Sequence, residues 1–175
     1  WKTYTSQSLK ISFSYPATPK FTITGIRHGL PSTSTTAPKY PAISLAHIVP
    51  IGAQCLSGIN CPDVTNNPEI LFIILDRPYA EVLADLESQF YPYFSETSEE
   101  KIIGMYKGTY NEMGVEGEGE YEFFFPVGTT KTMYMSGNYV MESNFLDTYT
   151  GVKDWIPFAQ QKPLFEAIIT SLQFN

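Results

Sequence analysis

The chain has 175 residues, of which 43% are apolar and 17% charged, with a formal net charge of −7. A single domain of this length buries about 70% of the surface its unfolded chain would expose, enough for a self-sufficient core. The acidic balance, with Lys and Arg scattered and nowhere in a run, excludes a nucleic-acid backbone partner and an electrostatic hold on anionic lipid. No window of about 18 apolar residues is present, so no transmembrane segment is expected.

In chain order, the first signal is a strict alternation of Leu9, Ile11, Phe13 and Tyr15 before Pro16, which predicts a half-buried strand over residues 9–15. Phe21 and Ile23 resume the pattern after the Pro16–Pro19 turn and predict a second strand, with a hairpin-like start to the fold. Residues 29–42 are rich in Ser, Thr and Pro and read as a long surface loop. Ile43, Leu45, His47 and Val49 alternate as a third strand. An irregular stretch over 50–69 holds both cysteines. The unbroken apolar run Ile70 to Leu75 then reads as a central strand covered on both faces.

A helix is predicted over 78–91, with Asp76 as a capping candidate, Pro78 in its first turn, and Val82, Leu83, Leu86 and Phe90 on one stripe. Three further antiparallel strands follow at Lys101 to Tyr110, Glu118 to Pro126 and Lys131 to Val140. Gly114, Gly117 and Gly119 are expected in the first turn between them and Gly128 in the second. Residues 144–157 read as irregular. A last helix over Phe158 to Leu172 puts Leu164, Phe165, Ile168, Ile169 and Leu172 on one face, with Pro163 in its first turn and Glu166 toward solvent. It runs into a short terminal strand. About seven clustered strands and two helices give an α+β fold, a mainly antiparallel sheet with helices packed on it, in one domain spanning 1–175.

Few constellations carry chemistry. Cys55 and Cys61 lie close together in a Gly-containing loop, and a disulfide in an exported protein is the favoured reading. Free thiols and a metal pair are the alternatives. His47 falls on the apolar phase of its strand. It reads as a hydrogen-bonded core histidine before a base or ligand, and His28 as a solvated loop residue. Glu116, Glu118, Glu120 and Glu122 alternate along one strand, so their carboxylates share one face about 6.5–7 Å apart. They are the weak candidates for a calcium site, against a solvated face or a charged edge that discourages aggregation. Phe123, Phe124 and Phe125 predict a strand covered on both sides. The aromatic run through Tyr91, Tyr93 and Phe94 offers a possible binding surface. No nucleophile elbow, phosphate loop, dinucleotide fingerprint or zincin motif occurs, so no cofactor and no catalytic residue is expected.

The opening from Trp1 to Tyr4 and from Leu9 to Pro16, together with the close from Leu164 to Phe174, resembles the ends of bacterial exported and lipoprotein-type domains of the PsbP-like fold. The helix over 78–91, the strand from Lys101, a Gly-rich turn and an aromatic strand follow the same order. The resemblance implies an antiparallel sheet sandwiched by helices (an α/β/α sandwich) and an extracytoplasmic location behind an anchor upstream of Trp1. It implies action by binding, since members include a photosystem-associated subunit and a nuclear-import cofactor. The expectation is thus a monomeric, non-catalytic binding or accessory domain whose partner is a protein or envelope component. A hydrolase with a carboxylate-lined cleft, or a structural cell-surface subunit, is the alternative.

Overall fold

The structure, a computed structural model, describes residues 1–30, 39–47, 54–55, 69–90, 96–115, 118–140, 149–150 and 156–175. The opening alternation becomes a hairpin, but with a different partner from the one expected. β1 (Lys2–Ser6) pairs antiparallel with β2 (Ile11–Tyr15), from Lys2 opposite Tyr15 to Ser6 opposite Ile11. Leu9 lies in the connecting turn, yet it stays buried and its N–H donates to Ser6 Oγ. The other edge of β2 takes the last strand of the chain, Gln173–Phe174. β2 therefore does not pair with the strand that follows it. The Phe13 ring stacks on Phe72 with centroids 4.2 Å apart, so the terminal sheet lies face to face on the main one and the chain changes sheets at Pro16 to Lys20.

The main sheet has seven strands, all antiparallel neighbours. β3 (Phe21–Gly29) and β4 (Lys39–His47) pair as its first two strands, so the loop expected over 29–42 is corrected at Gly29 and from Lys39 to Ala42, while 31–38 lie outside the described residues. Their register runs from Phe21 opposite His47 to Gly29 opposite Lys39. Pro41 is tolerated because it lies one residue outside the pairing of β4 with its other neighbour, which starts at Ala42. That neighbour is the apolar run, with Glu69–Leu75 forming a strand between β4 and Lys131–Val140. This strand is β6, and a two-residue strand, β5 (Gln54–Cys55), precedes it.

The strand expected from Lys101 to Tyr110 is in fact two, β7 (Ser98–Ile103) and β8 (Tyr106–Val115), folded back at Gly104 and Met105. Gly104 has φ +62°, a left-handed conformation that glycine adopts without strain. β9 (Glu118–Val127) and β10 (Lys131–Val140) follow as predicted, with Gly128 in their turn. Gly114 and Gly119 are not turn residues. They face each other across β8 and β9, and the Tyr139 ring lies over them where a Cβ at either position would stand. The sheet order is β3-β4-β6-β10-β9-β8-β7. A small pair joins β5 to β11 (Tyr149–Thr150).

α1 (Tyr79–Phe90) and α2 (Phe158–Thr170) are the two expected helices among the described residues. Pro163 sits one turn into α2 rather than in its first turn, and it faces solvent. β12 (Gln173–Phe174) follows α2 directly. α2 and the terminal sheet cover one face of the main sheet. Ile11, Phe13, Phe165, Ile168, Ile169 and Leu172 close there over Phe72, Phe123 and Phe125. α1 covers the other face, with Val82 and Leu86 on Ile73, Leu75, Phe124 and Tyr134. Phe123, Phe124 and Phe125 thus point alternately into two cores, as consecutive strand residues must.

Candidate functional site

β9 carries the acidic alternation through the interior of the main sheet, between β8 and β10, so the charged-edge reading fails. The four glutamates are not equivalent. Glu118 is exposed, Glu120 is half-buried and Glu122 is 2% exposed. Glu116 lies outside the described residues. Register explains the gradient. Glu122 stands directly opposite Asn111 on β8 and Ser136 on β10, one pair in from the aromatic core at Phe124 and on the face that α1 covers. A uniformly solvated face is therefore also excluded. Among the described residues no group of three or more His, Cys, Asp or Glu side chains is gathered to hold a metal ion.

The Glu122 carboxylate is held by two neutral donors. Asn111 Nδ2–H donates to its Oε2 at 2.9 Å and the Tyr134 hydroxyl donates to its Oε1 at 2.9 Å. Thr97 Oγ1 donates in turn to Asn111 Oδ1 at 2.6 Å. Burial pushes the Glu122 carboxyl up to about 7. The bond from Asn111 opposes this, the nearby Glu120 charge adds to it, and the bond from Tyr134 again opposes it. Burial also raises the Tyr134 phenol well above its ordinary range, with the Glu122 charge adding to it. The polar row continues toward β4, where Ser44 Oγ donates to Glu69 and the Glu69 N–H donates to Asn138 Oδ1.

A second polar group lies on the opposite face, between α2 and the β7–β8 hairpin. Lys101 Nζ pairs with Glu166 at 2.8 Å and stands 3.9 Å over the Tyr110 ring. Lys162 pairs with Glu112, which also accepts from the Tyr110 hydroxyl. Burial raises the Tyr110 phenol, and Glu112 adds to that. Glu166 is therefore a tether of α2 to β7, not a free surface charge. These partners were not legible locally, because Lys101, Glu112 and Lys162 are brought together only by the α2 docking.

His47 is buried, its Nδ1 lies 3.0 Å from the Lys20 carbonyl, and its ring packs on Phe21, as the core-histidine reading requires. His28 belongs to β3, opposite Tyr40, and not to a loop. A shallow depression lined by Thr5, Ser6, Gln7, Lys10 and Asn175 opens beside the β1–β2 turn. Tyr91, Tyr93, Phe94 and Cys61 lie outside the described residues, so the aromatic surface and the Cys55–Cys61 pairing do too. Cys55 is placed by its backbone alone, opposite Tyr149. No described helix is long and apolar enough to cross a membrane.

No protein-family model matches the chain, and no curated protein matches it. A solved crystal structure from Bacteroides thetaiotaomicron VPI-5482 is similar at 11% sequence identity and a TM-score of 0.49, over 99% of this chain and 48% of that one. The chain thus spans about half the length of that protein.

Proposed function

We propose that this is an exported, non-catalytic binding or accessory domain of the PsbP-like kind, acting on a protein or envelope component. The observation that carries the reading is where the reactive side chains go. Glu122, Glu112, Glu166, Lys101, Lys162 and His47 are each engaged by partners within the fold. Groups that perform acid–base work on a substrate must instead reach the reacting atoms. The order of the elements, with helices on both faces of an antiparallel sheet and the two termini joined, supports the PsbP-like resemblance. Two cysteines six positions apart support an oxidising, extracytoplasmic compartment. Intact-mass and peptide mapping without reduction is expected to find Cys55 linked to Cys61. Two alkylatable thiols would remove that support.

A hydrolase with a carboxylate-lined cleft is the second reading, and one observation favours it. The Glu122 carboxyl, pushed up to about 7 by burial, shares one face of β9 with Glu120, a combination that suits a general acid. A panel of glycoside, ester and amide substrates, tried with the wild type and with Glu122→Gln, separates the two. The binding reading expects blank rates from both proteins and saturable binding of the domain to an isolated envelope fraction. Turnover that the wild type shows and Glu122→Gln loses would overturn it.

A further inference from the structure

Glu122 stands out for the company it keeps. It lies on an interior strand, hydrogen-bonded to neighbours along both edges, so it has no route to solvent from a sheet edge. Both of its bonding partners are uncharged. The ion pairs among the described residues are made elsewhere, by Arg77 with Asp85, Lys101 with Glu166, Lys107 with Glu100, Lys131 with Asp76 and Lys162 with Glu112.

Among the described residues, no cation on its own face is paired with it. β9 contributes Glu120, and more distantly Glu118. β10 contributes Tyr134, Ser136 and Asn138, and β6 adds Glu69 beyond Asn138. On β8, Lys107 shares the face but is tied to Glu100 of β7 at the far end of the hairpin. α1 brings Val82 and Leu86 to this face, while its Asp85 is drawn to Arg77. A carboxylate so placed loses its hydration without gaining a counter-charge, and its neutral form is the one the site accommodates.

We infer that Glu122 is a proton switch built into the α1 face, closed when the carboxyl is protonated and loosened, through Asn111 and Thr97, when it is ionised. Protonated, the carboxyl donates to the Tyr134 oxygen, whose own O–H turns away from it, and still accepts from Asn111 Nδ2–H, so both of its side-chain contacts in the closed packing are kept. Ionised, it releases its proton to solvent, Tyr134 turns its O–H back to it, and an uncompensated charge remains. Admitting water to the α1 face relieves that charge. The weakest way in is the chain of side-chain bonds from Glu122 through Asn111 to Thr97, because Thr97 lies at the entry to β7, the outer strand of the sheet. The switch needs no catalytic role for Glu122.

The direction of the pH effect follows from the raised folded value. A carboxyl at about 7 in the fold and 4.5 otherwise holds more protons folded than unfolded between those limits. Its contribution to stability is complete below the lower value and is lost as pH rises through the upper one.

Denaturant unfolding of the whole chain at pH 5.5 and at pH 8 tests this, with Glu122→Gln as the reference. The Gln amide keeps both contacts, accepting from Asn111 and donating to the Tyr134 oxygen, and it does not titrate. The folding constant of the wild type is expected to fall on the order of tenfold more between the two pH values than that of the variant. Amide exchange at Thr97 and Asn111, corrected for base catalysis, is expected to quicken at pH 8 in the wild type alone. Parallel pH profiles of the two proteins would overturn the switch. If Glu122→Gln does not fold, the carbon NMR titration of the Glu122 carboxyl in the wild type decides. A midpoint near neutrality is expected, and one in the ordinary glutamate range refutes the proposal.

Discussion

The two faces of the main sheet are closed on different terms. Under α2 and the terminal strands the contact is apolar and aromatic, with Phe13, Phe72, Phe123, Phe125 and Phe165 all buried. The ionic groups there, Lys101, Lys162, Glu112 and Glu166, stay at the margin and remain partly exposed. Under α1 the core starts in the same way at Ile73, Leu75 and Phe124, then gives way to Asn111, Glu122, Ser136 and Ser44, all buried. The first face is held by area removed from water, so volume is what it cannot lose. The second also depends on its buried hydrogen bonds, so charge and hydrogen-bonding capacity are what it cannot lose.

The contrast can be broken most sharply on the apolar side. Leu172→Asp places a carboxylate where a side chain is 2% exposed, and should cost about 4 kcal/mol or more, enough to unfold a marginal domain. Circular-dichroism melting reads this directly, and an unchanged midpoint would mean that the closing segment is not part of the core. Gly119→Ala comes next. Its Cβ would meet the Met113 carbonyl and the Tyr139 ring, and the backbone oxygen cannot yield cheaply. A loss of about 3 kcal/mol in denaturant unfolding is expected.

On the polar side, Glu122→Leu leaves Asn111 Nδ2–H without its acceptor and the buried Tyr134 hydroxyl without its partner. At pH 5.5 that should cost about 2 kcal/mol, measured by the same unfolding curve. Glu122→Gln should instead be more stable than the wild type at pH 8. If both variants behaved alike, the two faces would not differ in kind. Lys101→Ala removes a half-exposed ion pair and a ring contact, so a loss of no more than about 1 kcal/mol is expected, fading at high salt. Smallest of all, calcium should leave the melting temperature unchanged, and a saturable rise would restore a metal role to the β9 glutamates.

Some of this could be read before any coordinates. The helix stripes at Val82 and Leu86 and at Phe165, Ile168 and Ile169 face inward as their spacing requires, and Leu172, just past the end of α2, is buried with them. His47 declared itself by sitting in phase with Leu45. Glu122 was visible only as one of four alternating carboxylates, and nothing local distinguished it from Glu118. Asn111 carried no signal at all, because a single Asn between Tyr110 and Glu112 looks like any polar strand residue. The split at Gly104 could have been found. A glycine between Ile103 and Met105, with alternation resuming after it, is the mark of a tight turn.

By itself, then, the sequence determined the kind of the main elements: alternating strands, two amphipathic helices and an antiparallel α+β arrangement. Period and composition encode which side of an element is apolar, and that is a local property. Only the tertiary structure decided which strands share a sheet. β2 left its sequence neighbour β3 and paired with β1 and β12, because Phe13 finds its stacking partner in Phe72, far along the chain. The fold also decided the state of Glu122. Its depth and its partners come from register across three strands and from the cover of α1. A pairing shifted by one residue would place the same carboxylate against different neighbours.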